Sequence, residues 1–205
     1  MLNITWHGHA CFELSTNEYN IVFDPYERGY ISGLKLPKLS ADMVISSHRH
    51  RDHYAPDAVA LTGNEPDITL VQIPCFHDDA GGKLRGNNLV SVVETEGLRV
   101  CHMGDIGHML SAEQLAALGE VDVLMIPVGG YYTVDAKTAK MLCDAIKPKT
   151  VIPMHYRNGG KGIKSLSPVD DFTSLFAKDE VFFLSGNTAS SEELLKHKIA
   201  VFPWP

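Results

Sequence analysis

Short runs of apolar and β-branched residues, separated by polar or glycine-containing breaks, fill the first half of the chain. Such runs are typical of β-strands, and they predict strands over residues 2–6, 11–15, 19–23, 43–46, 68–76, 89–96 and 98–103. The last two would form a hairpin across Gly97. Pro56 follows a polar loop and predicts a helix over residues 57–61, because proline is favoured in the first turn of a helix.

The pattern changes after residue 104, where helical and strand-like segments alternate. Apolar residues at helical spacing predict helices over residues 112–118, 135–145 and 168–176, and apolar runs predict strands over residues 121–126, 150–153 and 181–184. A β meander followed by such alternating units favours an α/β fold of packed layers. Because the chain has 205 residues and no stretch of linker length, we expect one domain spanning residues 1–205.

Composition narrows the classes of function. The formal net charge of -7 opposes a broad nucleic-acid-binding surface, because such surfaces need clustered lysine and arginine. No apolar run reaches the roughly 18 residues of a membrane span, and the first residues lack the features of a secretory signal. We therefore expect a cytoplasmic protein without a membrane partner; whether it forms a homo-oligomer stays open. The four widely spaced cysteines argue against a disulfide scaffold or a zinc knuckle.

The ten histidines are the unusual feature of the composition, and three of them stand in one short motif with a carboxylate. The motif is His48-x-His50-x-Asp52-His53, whose side chains are the types that bind zinc and other first-row divalent ions. In an extended loop, side chains two residues apart point the same way, so His48 and His50 can share one ion. Asp52 and His53 would face a second ion. A solvated polar loop is the alternative interpretation.

Further metal ligands are needed, because a catalytic metal usually takes three protein ligands and water. His77, Asp105 and His155 each follow a predicted strand, where α/β folds usually display functional groups. Asp105 would bridge the two ions. His102 competes with His77, but residues three apart in a strand face opposite sides, so we prefer His77 if Asp105 faces the metals. Taken singly, each histidine could also be an ordinary hydrogen-bonded side chain.

Motifs spread over most of the chain carry a family resemblance. They are Gly8-His9-Ala10, Phe23-Asp24-Pro25, the loop 48–53, Phe76-His77-Asp78, Arg85-Gly86-Asn87, Gly104-Asp105, Pro127-Val128-Gly129-Gly130 and Pro153-Met154-His155-Tyr156. In these motifs the chain resembles the metallo-β-lactamase superfamily, and within it the short bacterial metal-dependent hydrolases similar to ascorbate-phosphate lactonase. The resemblance implies a four-layer αββα sandwich, with two β-sheets face to face and helices on the outer faces.

The resemblance also implies the distribution of ligands between two divalent ions. The first ion would be held by His48, His50 and His77, and the second by Asp52, His53 and His155, with Asp105 bridging them. Zinc is the first expectation, but manganese or iron would accept the same ligands. Oxygen-reducing di-iron relatives carry a carboxylate at the position of His50, so the resemblance favours hydrolysis over redox chemistry.

The expected activity is hydrolysis of a small-molecule lactone, ester, amide or phosphodiester by a metal-bridging hydroxide. Asp52 and Asp105 are the expected catalytic residues, and Asp52 could orient the hydroxide or carry its proton. Two alternatives stay open. One is a metal-binding sensor or other non-catalytic member. The other is a nuclease, which the acidic charge disfavours.

Several side chains near these motifs are candidates for contacting substrate: His9, Arg85, Asn87, Asn88, Tyr131 and Tyr132. Arg85 and its neighbouring asparagines could bind an anionic or carbonyl group, and the tyrosines could donate to an oxyanion. Packing and plain loop structure are the alternatives for these residues. Asp24 could either orient a metal-binding histidine or cap a turn.

Overall fold

The computed structural model describes residues 1–205 and contains two β-sheets that face each other. The first sheet has five strands in the order β13-β1-β2-β3-β5. Its strands are β1 (Asn3–Gly8), β2 (Cys11–Ser15), β3 (Asn20–Phe23), β5 (Met43–Ile45) and β13 (Thr188–Ser190). Pairing is antiparallel except between β3 and β5, so the meander predicted at the start of the chain forms the body of this sheet.

The second sheet has seven strands in the order β12-β14-β11-β10-β9-β8-β7. Its strands are β7 (Thr69–Phe76), β8 (Asn87–Thr95), β9 (Leu98–His102), β10 (Val123–Pro127), β11 (Thr150–Met154), β12 (Val181–Phe183) and β14 (Ile199–Val201). One half, from β7 to β9, is antiparallel, and the other half is parallel. The carboxyl ends of β9, β10 and β11 therefore meet at one edge of this sheet.

Four helices lie outside the sheets: α1 (Ala112–Leu118), α2 (Ala136–Ile146), α3 (Asp170–Thr173) and α4 (Ser191–Leu194). The Ser111 side chain caps α1 together with Gln114, and the Asp135 side chain caps α2. These caps satisfy amide groups that a helix start leaves without partners. Helix α2 has 11 residues and is the longest, so no helix is long and apolar enough to cross a bilayer.

The core lies between the sheets and beneath the helices. A cluster of 43 buried apolar residues joins both sheets to the helices. Every residue of β10 and β11 is buried, as expected for central parallel strands that are covered on both faces. Two facing sheets with helices outside confirm the predicted four-layer αββα sandwich.

Several predicted elements differ from the structure. The helix predicted over 57–61 is wrong: one 3-10 turn (Pro56–Ala58) leads into strand β6 (Val59–Leu61), which pairs with strand β4 (Leu39–Ala41). Val59 is β-branched and is buried in this strand pair. Pairing with a strand that is distant in sequence therefore outweighs the local preference for a helix. The helix predicted over 168–176 is reduced to α3. Strands β4, β13 and β14 were not predicted.

All four cysteines are buried, so the reactivity of their thiols can test the packing around them. Burial raises the pKa of Cys75 to about 11 and that of Cys143 to about 12. It also raises the pKa values of the Cys11 and Cys101 thiols well above the ordinary range. A raised thiol pKa leaves the neutral, unreactive form in place at pH 8.

We therefore expect a thiol-reactive chromophore at pH 8 to label none of the four cysteines in the native protein within minutes. It should label all four after addition of denaturant. The measurement is the absorbance of the released chromophore. Fast labelling of one native cysteine would show that its surroundings are looser than the structure indicates.

Candidate metal centre

The loop that follows strand β5 brings its polar side chains to one place. His48 and His50 lie on the same side of the extended part of the loop, with 3.1 Å between His48 Nε2 and His50 Nδ1. The backbone then turns, as the His53 amide donates to the His50 carbonyl over 2.9 Å. Past this turn, Asp52 Oδ2 and His53 Nε2 are 3.7 Å apart. The loop thus offers two groups of donor atoms.

Asp105 lies between these groups and the two histidines that follow other strands. The Asp105 carboxylate is 3.1 Å from His77 Nε2, 3.2 Å from His155 Nε2 and 3.2 Å from His53 Nε2. Strands β7, β9 and β11 end near one another, so residues far apart in sequence meet here. All seven side chains predicted as metal ligands belong to this one cluster.

The donor atoms fit divalent ions. Three groups have donor atoms within 4.8 Å of one another: His48, His50 and His77; His48, His53 and Asp105; and His9, Asp52, His53 and His155. Within the cluster, His53 Nε2, His155 Nε2 and Asp105 Oδ1 are buried without a hydrogen-bond partner. Buried polar atoms are rarely left unpaired, and atoms that face a common point suit a cation between them. The imidazole and carboxylate set suits zinc, manganese or iron.

Electrostatics at the cluster favour the metal-binding protonation states of His48 and Asp105. Burial, followed by the charge of His53, lowers the pKa of His48 to about 3, so its ring is neutral, as a ligand must be. Burial alone would raise the pKa of Asp105, but the charges of His155 and His53 hold it well below its ordinary value. Burial alone would lower the pKa of His53, yet the Asp105 and Asp24 carboxylates raise it well above the ordinary range. A cation here would take over the role of that proton.

Asp24 holds His53 from the side opposite to the cluster. Its Oδ2 atom lies 2.7 Å from His53 Nδ1, which donates to it. The carboxylate also accepts from the Ser47 amide at 2.7 Å and from the Ser47 hydroxyl at 2.6 Å. Asp24 is fully buried. Of the two roles that the sequence left open, the contact to His53 is the one that the structure contains, and carboxylates in this position fix ring orientation.

Asn88 holds the backbone of Asp105. The Asn88 Oδ1 atom accepts from the Asp105 amide at 2.8 Å, and its Nδ2 atom donates to the Met103 carbonyl at 2.9 Å. Gly104 lies between, and a Cβ atom there would be 2.3 Å from Asn88 Oδ1 and 2.4 Å from Ser47 Cβ. Only glycine therefore fits before Asp105. Asn88 is buried and faces Asp105 rather than the solvent.

Unusual backbone conformations also concentrate at the cluster. His9, Asp24 and His155 have positive φ angles of 55°, 43° and 54°. Non-glycine residues adopt this region at a cost and are enriched at functional sites. The His155 amide donates to the His9 carbonyl at 3.2 Å, which ties two of these positions together.

His102 lies apart from the ligand side chains, whereas His9 contacts one of them. His102 Nε2 donates to the Ala10 carbonyl at 2.9 Å, and its Nδ1 accepts from the Gly104 amide at 3.1 Å. Both of its ring nitrogens are thus occupied away from the cluster, whereas His77 reaches Asp105. His9 is buried and contacts Asp52 Oδ2 at 3.3 Å. Its ring packs at a 42° tilt against that of His155, with ring centroids 3.9 Å apart.

A cavity of about 750 Å³ opens over the cluster. It is lined by Tyr30, Ser32, Arg49, His50, Arg51, Asp52, His77, Leu84, Arg85, Asp105, Tyr132, Gly162 and Ile163. Its size is that of a small-molecule site. The candidate ligands His50, Asp52, His77 and Asp105 form its floor, so a small molecule in the cavity would reach the cluster directly.

Comparison with known proteins agrees with this geometry. A family model described as a beta-lactamase superfamily domain matches residues 3–155. A UPF0173 metal-dependent hydrolase from Thermococcus onnurineus is 31% identical, with the match covering 76% of this chain and 85% of the relative. The chain belongs to the metallo-β-lactamase superfamily.

Solved structures share the fold. A candidate zinc-dependent hydrolase of the metallo-β-lactamase superfamily from Thermotoga maritima matches with a TM-score of 0.79 and 37% identity, and the match covers 98% of each chain. A metallo hydrolase from Ignicoccus hospitalis matches with a TM-score of 0.68, covering 100% of this chain and 96% of the other. At 18% identity the second match shows the fold alone.

The candidate substrate-binding residues of this metallo-β-lactamase domain are not all at the cavity. Arg85 and Tyr132 line it, whereas His9, Asn87 and Tyr131 do not. His9 contacts Asp52 instead. Asn87 is an exposed first residue of β8, paired with Phe76. Consecutive strand residues face opposite sides, so Asn87 and the buried Asn88 cannot serve one surface. Tyr131 contributes its carbonyl, which accepts from Arg85 Nη2 at 3.1 Å.

Replacing Asp24 by alanine should weaken metal binding, because His53 would lose the carboxylate that orients its ring. Loss of such an outer partner typically costs about 10–100-fold in metal affinity. The measurement is zinc affinity by competition with a chromogenic chelator. Asp122→Ala is the control: Asp122 pairs with Lys149 and precedes β10 at the opposite end of the sheet. Equal affinities for the two variants would contradict the assigned role of Asp24.

Proposed function

We propose that this protein is a binuclear metal-dependent hydrolase acting on a small molecule. The observation that carries the proposal is the position of Asp105, whose buried carboxylate lies within 3.2 Å of the Nε2 atoms of His53, His77 and His155 on the floor of a cavity. The relatives are named as metal-dependent hydrolases, and these names support the same reaction class.

The proposed ligand sets draw on these spatial groups, except that His9, which belongs to the group of Asp52, His53 and His155, is assigned to a hydrogen bond with Asp52. His48, His50 and His77 would hold one ion, Asp52, His53 and His155 would hold the other, and Asp105 would bridge them. Zinc is our first choice, and manganese or iron would accept the same donors. When bound, two such ions would supply Lewis-acid chemistry, which can lower the pKa of water to about 7 and polarise the oxygen atom of a substrate.

The protein's own side chains would orient the reaction. Burial would raise the pKa of Asp52, but the hydrogen bond from His9 and the charge of His53 hold it below its ordinary value. Burial, followed by the charge of His155, lowers the pKa of His9 to about 4, so His9 is neutral and its Nε2–H donates to Asp52. An ionised, fixed carboxylate can accept a hydrogen bond from the attacking water and aim it at the substrate.

The substrate classes that suit this arrangement are lactones, esters, amides and phosphodiesters, all of which react by attack of water on a polarised centre. Tyr132 lines the cavity and is our candidate donor to a developing oxyanion. Large nucleic acids fit less well, since the net charge is -7 and phosphate backbones require clustered positive charge. A metal-binding protein without turnover is the remaining candidate, and activity separates it from the enzyme.

Asp105→Asn should remove the bridging carboxylate while keeping the shape of the side chain. Because the change withdraws a charge shared by both proposed ions, we expect metal content to fall from two ions per chain to one or fewer. Hydrolysis should fall at least about 100-fold, since the metal ions supply several kcal/mol of stabilisation. Elemental analysis and rates on a panel of lactones, esters, amides and phosphodiesters provide the measurement.

The wild-type activity should disappear with chelator and return with added zinc. Asp144→Asn is the control, because Asp144 is an exposed carboxylate on α2 that pairs with Lys140. Retention of two ions and full activity in Asp105→Asn would rule out the bridged centre. Metal-loaded wild-type protein that hydrolyses no member of the panel would favour the protein without turnover.

A further inference from the structure

Arginine is concentrated at the cavity. The chain has six arginines and 12 lysines, and three of the arginines but no lysine line this cavity. The two carboxylates in the lining, Asp52 and Asp105, are assigned to the metal ions. An acidic chain, with a net charge of -7, therefore lines this cavity with three arginines. Arginine differs from lysine in presenting a planar fork that matches the two oxygens of a carboxylate or phosphate.

The three cavity arginines differ in their partners. Arg51 is paired with Glu27, with contacts of 2.7 Å from Nε and 2.5 Å from Nη2, so its charge is already balanced. Arg49 lies 5.7 Å from the Tyr54 ring centroid, and Arg85 donates only to a backbone carbonyl. Neither Arg49 nor Arg85 has a carboxylate partner. Unbalanced positive charge in the cavity thus belongs to these two residues.

Arg85 is also fixed in position. The loop that carries it is closed by the buried Asp78 carboxylate, which accepts from four backbone amides, those of Ala80, Gly82, Leu84 and Arg85, at 2.7–3.0 Å. The Arg85 guanidinium then donates to the Tyr131 carbonyl and lies 5.7 Å from the Tyr132 ring centroid. Asp78 directly follows the ligand His77. The same short segment therefore positions a proposed ligand and the guanidinium.

We propose that Arg85 determines specificity by binding an oxyanion, a carboxylate or phosphate, carried by the substrate away from the bond that is cleaved. This inference rests on the proposed function only in calling the bound molecule a substrate. Arg49 adds a second positive charge without the same fixed position. The substrate is thus an anionic small molecule, and the uncharged members of the lactone, ester and amide classes are poor substrates.

Direct binding tests the subsite without turnover. The probes are inorganic phosphate and succinate, titrated separately by calorimetry into zinc-loaded wild-type protein, Arg85→Gln, Arg85→Lys and Lys83→Gln. We expect at least one probe to bind the wild type and to bind Arg85→Gln about tenfold more weakly or worse, because a charge-assisted bidentate contact is lost. Arg85→Lys should be intermediate, since it keeps the charge but not the fork.

Lys83→Gln is the matched control. It removes one positive charge from the same loop at an exposed position outside the cavity lining, and it should change affinity less than about twofold. If Lys83→Gln and Arg85→Gln weaken anion binding equally, the effect comes from the overall charge of the loop, and the proposal is overturned. The proposal is also overturned if neither probe binds the wild type. It is overturned as well if Arg85→Gln binds the probes as tightly as the wild type does, because the metal ions alone would then hold the anion.

A kinetic comparison separates this inference from the hydrolase proposal. Matched aryl esters with and without a remote carboxylate, and with a remote phosphate, would be hydrolysed by the wild type and Arg85→Gln. We expect Arg85→Gln to raise KM for an anionic ester about tenfold while leaving the neutral ester unchanged. Hydrolysis without preference for the anionic esters would overturn the subsite and leave the hydrolase standing. Binding that depends on Arg85, in a protein that hydrolyses none of these esters, would support the subsite and overturn the hydrolase proposal.

Discussion

The buried carboxylate of Asp105 is the constraint around which the centre is organised. An ionised carboxylate is costly to bury unless positive charge or hydrogen bonds compensate it, and here three imidazoles lie within 3.2 Å of its oxygens. Those imidazoles come from three separate parts of the chain. The two sheets must therefore be correctly packed before the charge is compensated, which couples the assembly of the core to the formation of the site.

The supporting contacts explain residues that carry no chemistry of their own. Asp24 and Ser47 fix His53 from behind, and Asn88 fixes the Asp105 amide. Gly104 is required because Asn88 and Ser47 occupy the space of a side chain. The positions of the metal ligands thus depend on small polar residues in the core, through their hydrogen bonds and through the missing Cβ atom of Gly104.

The sequence predicted the candidate metal ligands more completely than the residues that hold those ligands in place. The residues of loop 48–53 are close in sequence, so their shared chemistry is visible as a motif, and His77, Asp105 and His155 follow strands that apolar patterning reveals. Asn88, in contrast, acts on a residue 17 positions away, and nothing in its local sequence distinguishes it from the exposed Asn87. The helix expected over 57–61 failed for the same reason, since the partner of β6 lies in β4. Contacts between distant segments were the part that local patterns could not show.

The pairing of β1 with β13 has a consequence for how the chain folds. Asn3 lies opposite Ser190 at one edge of the first sheet, so that edge cannot close until residue 190 has left the ribosome. All seven candidate ligands precede residue 156 and are synthesised while β1 still lacks this neighbour. An open strand edge invites pairing with other chains, and contacts of such long sequence separation form slowly. During synthesis, the first strand is therefore a segment that needs protection from aggregation.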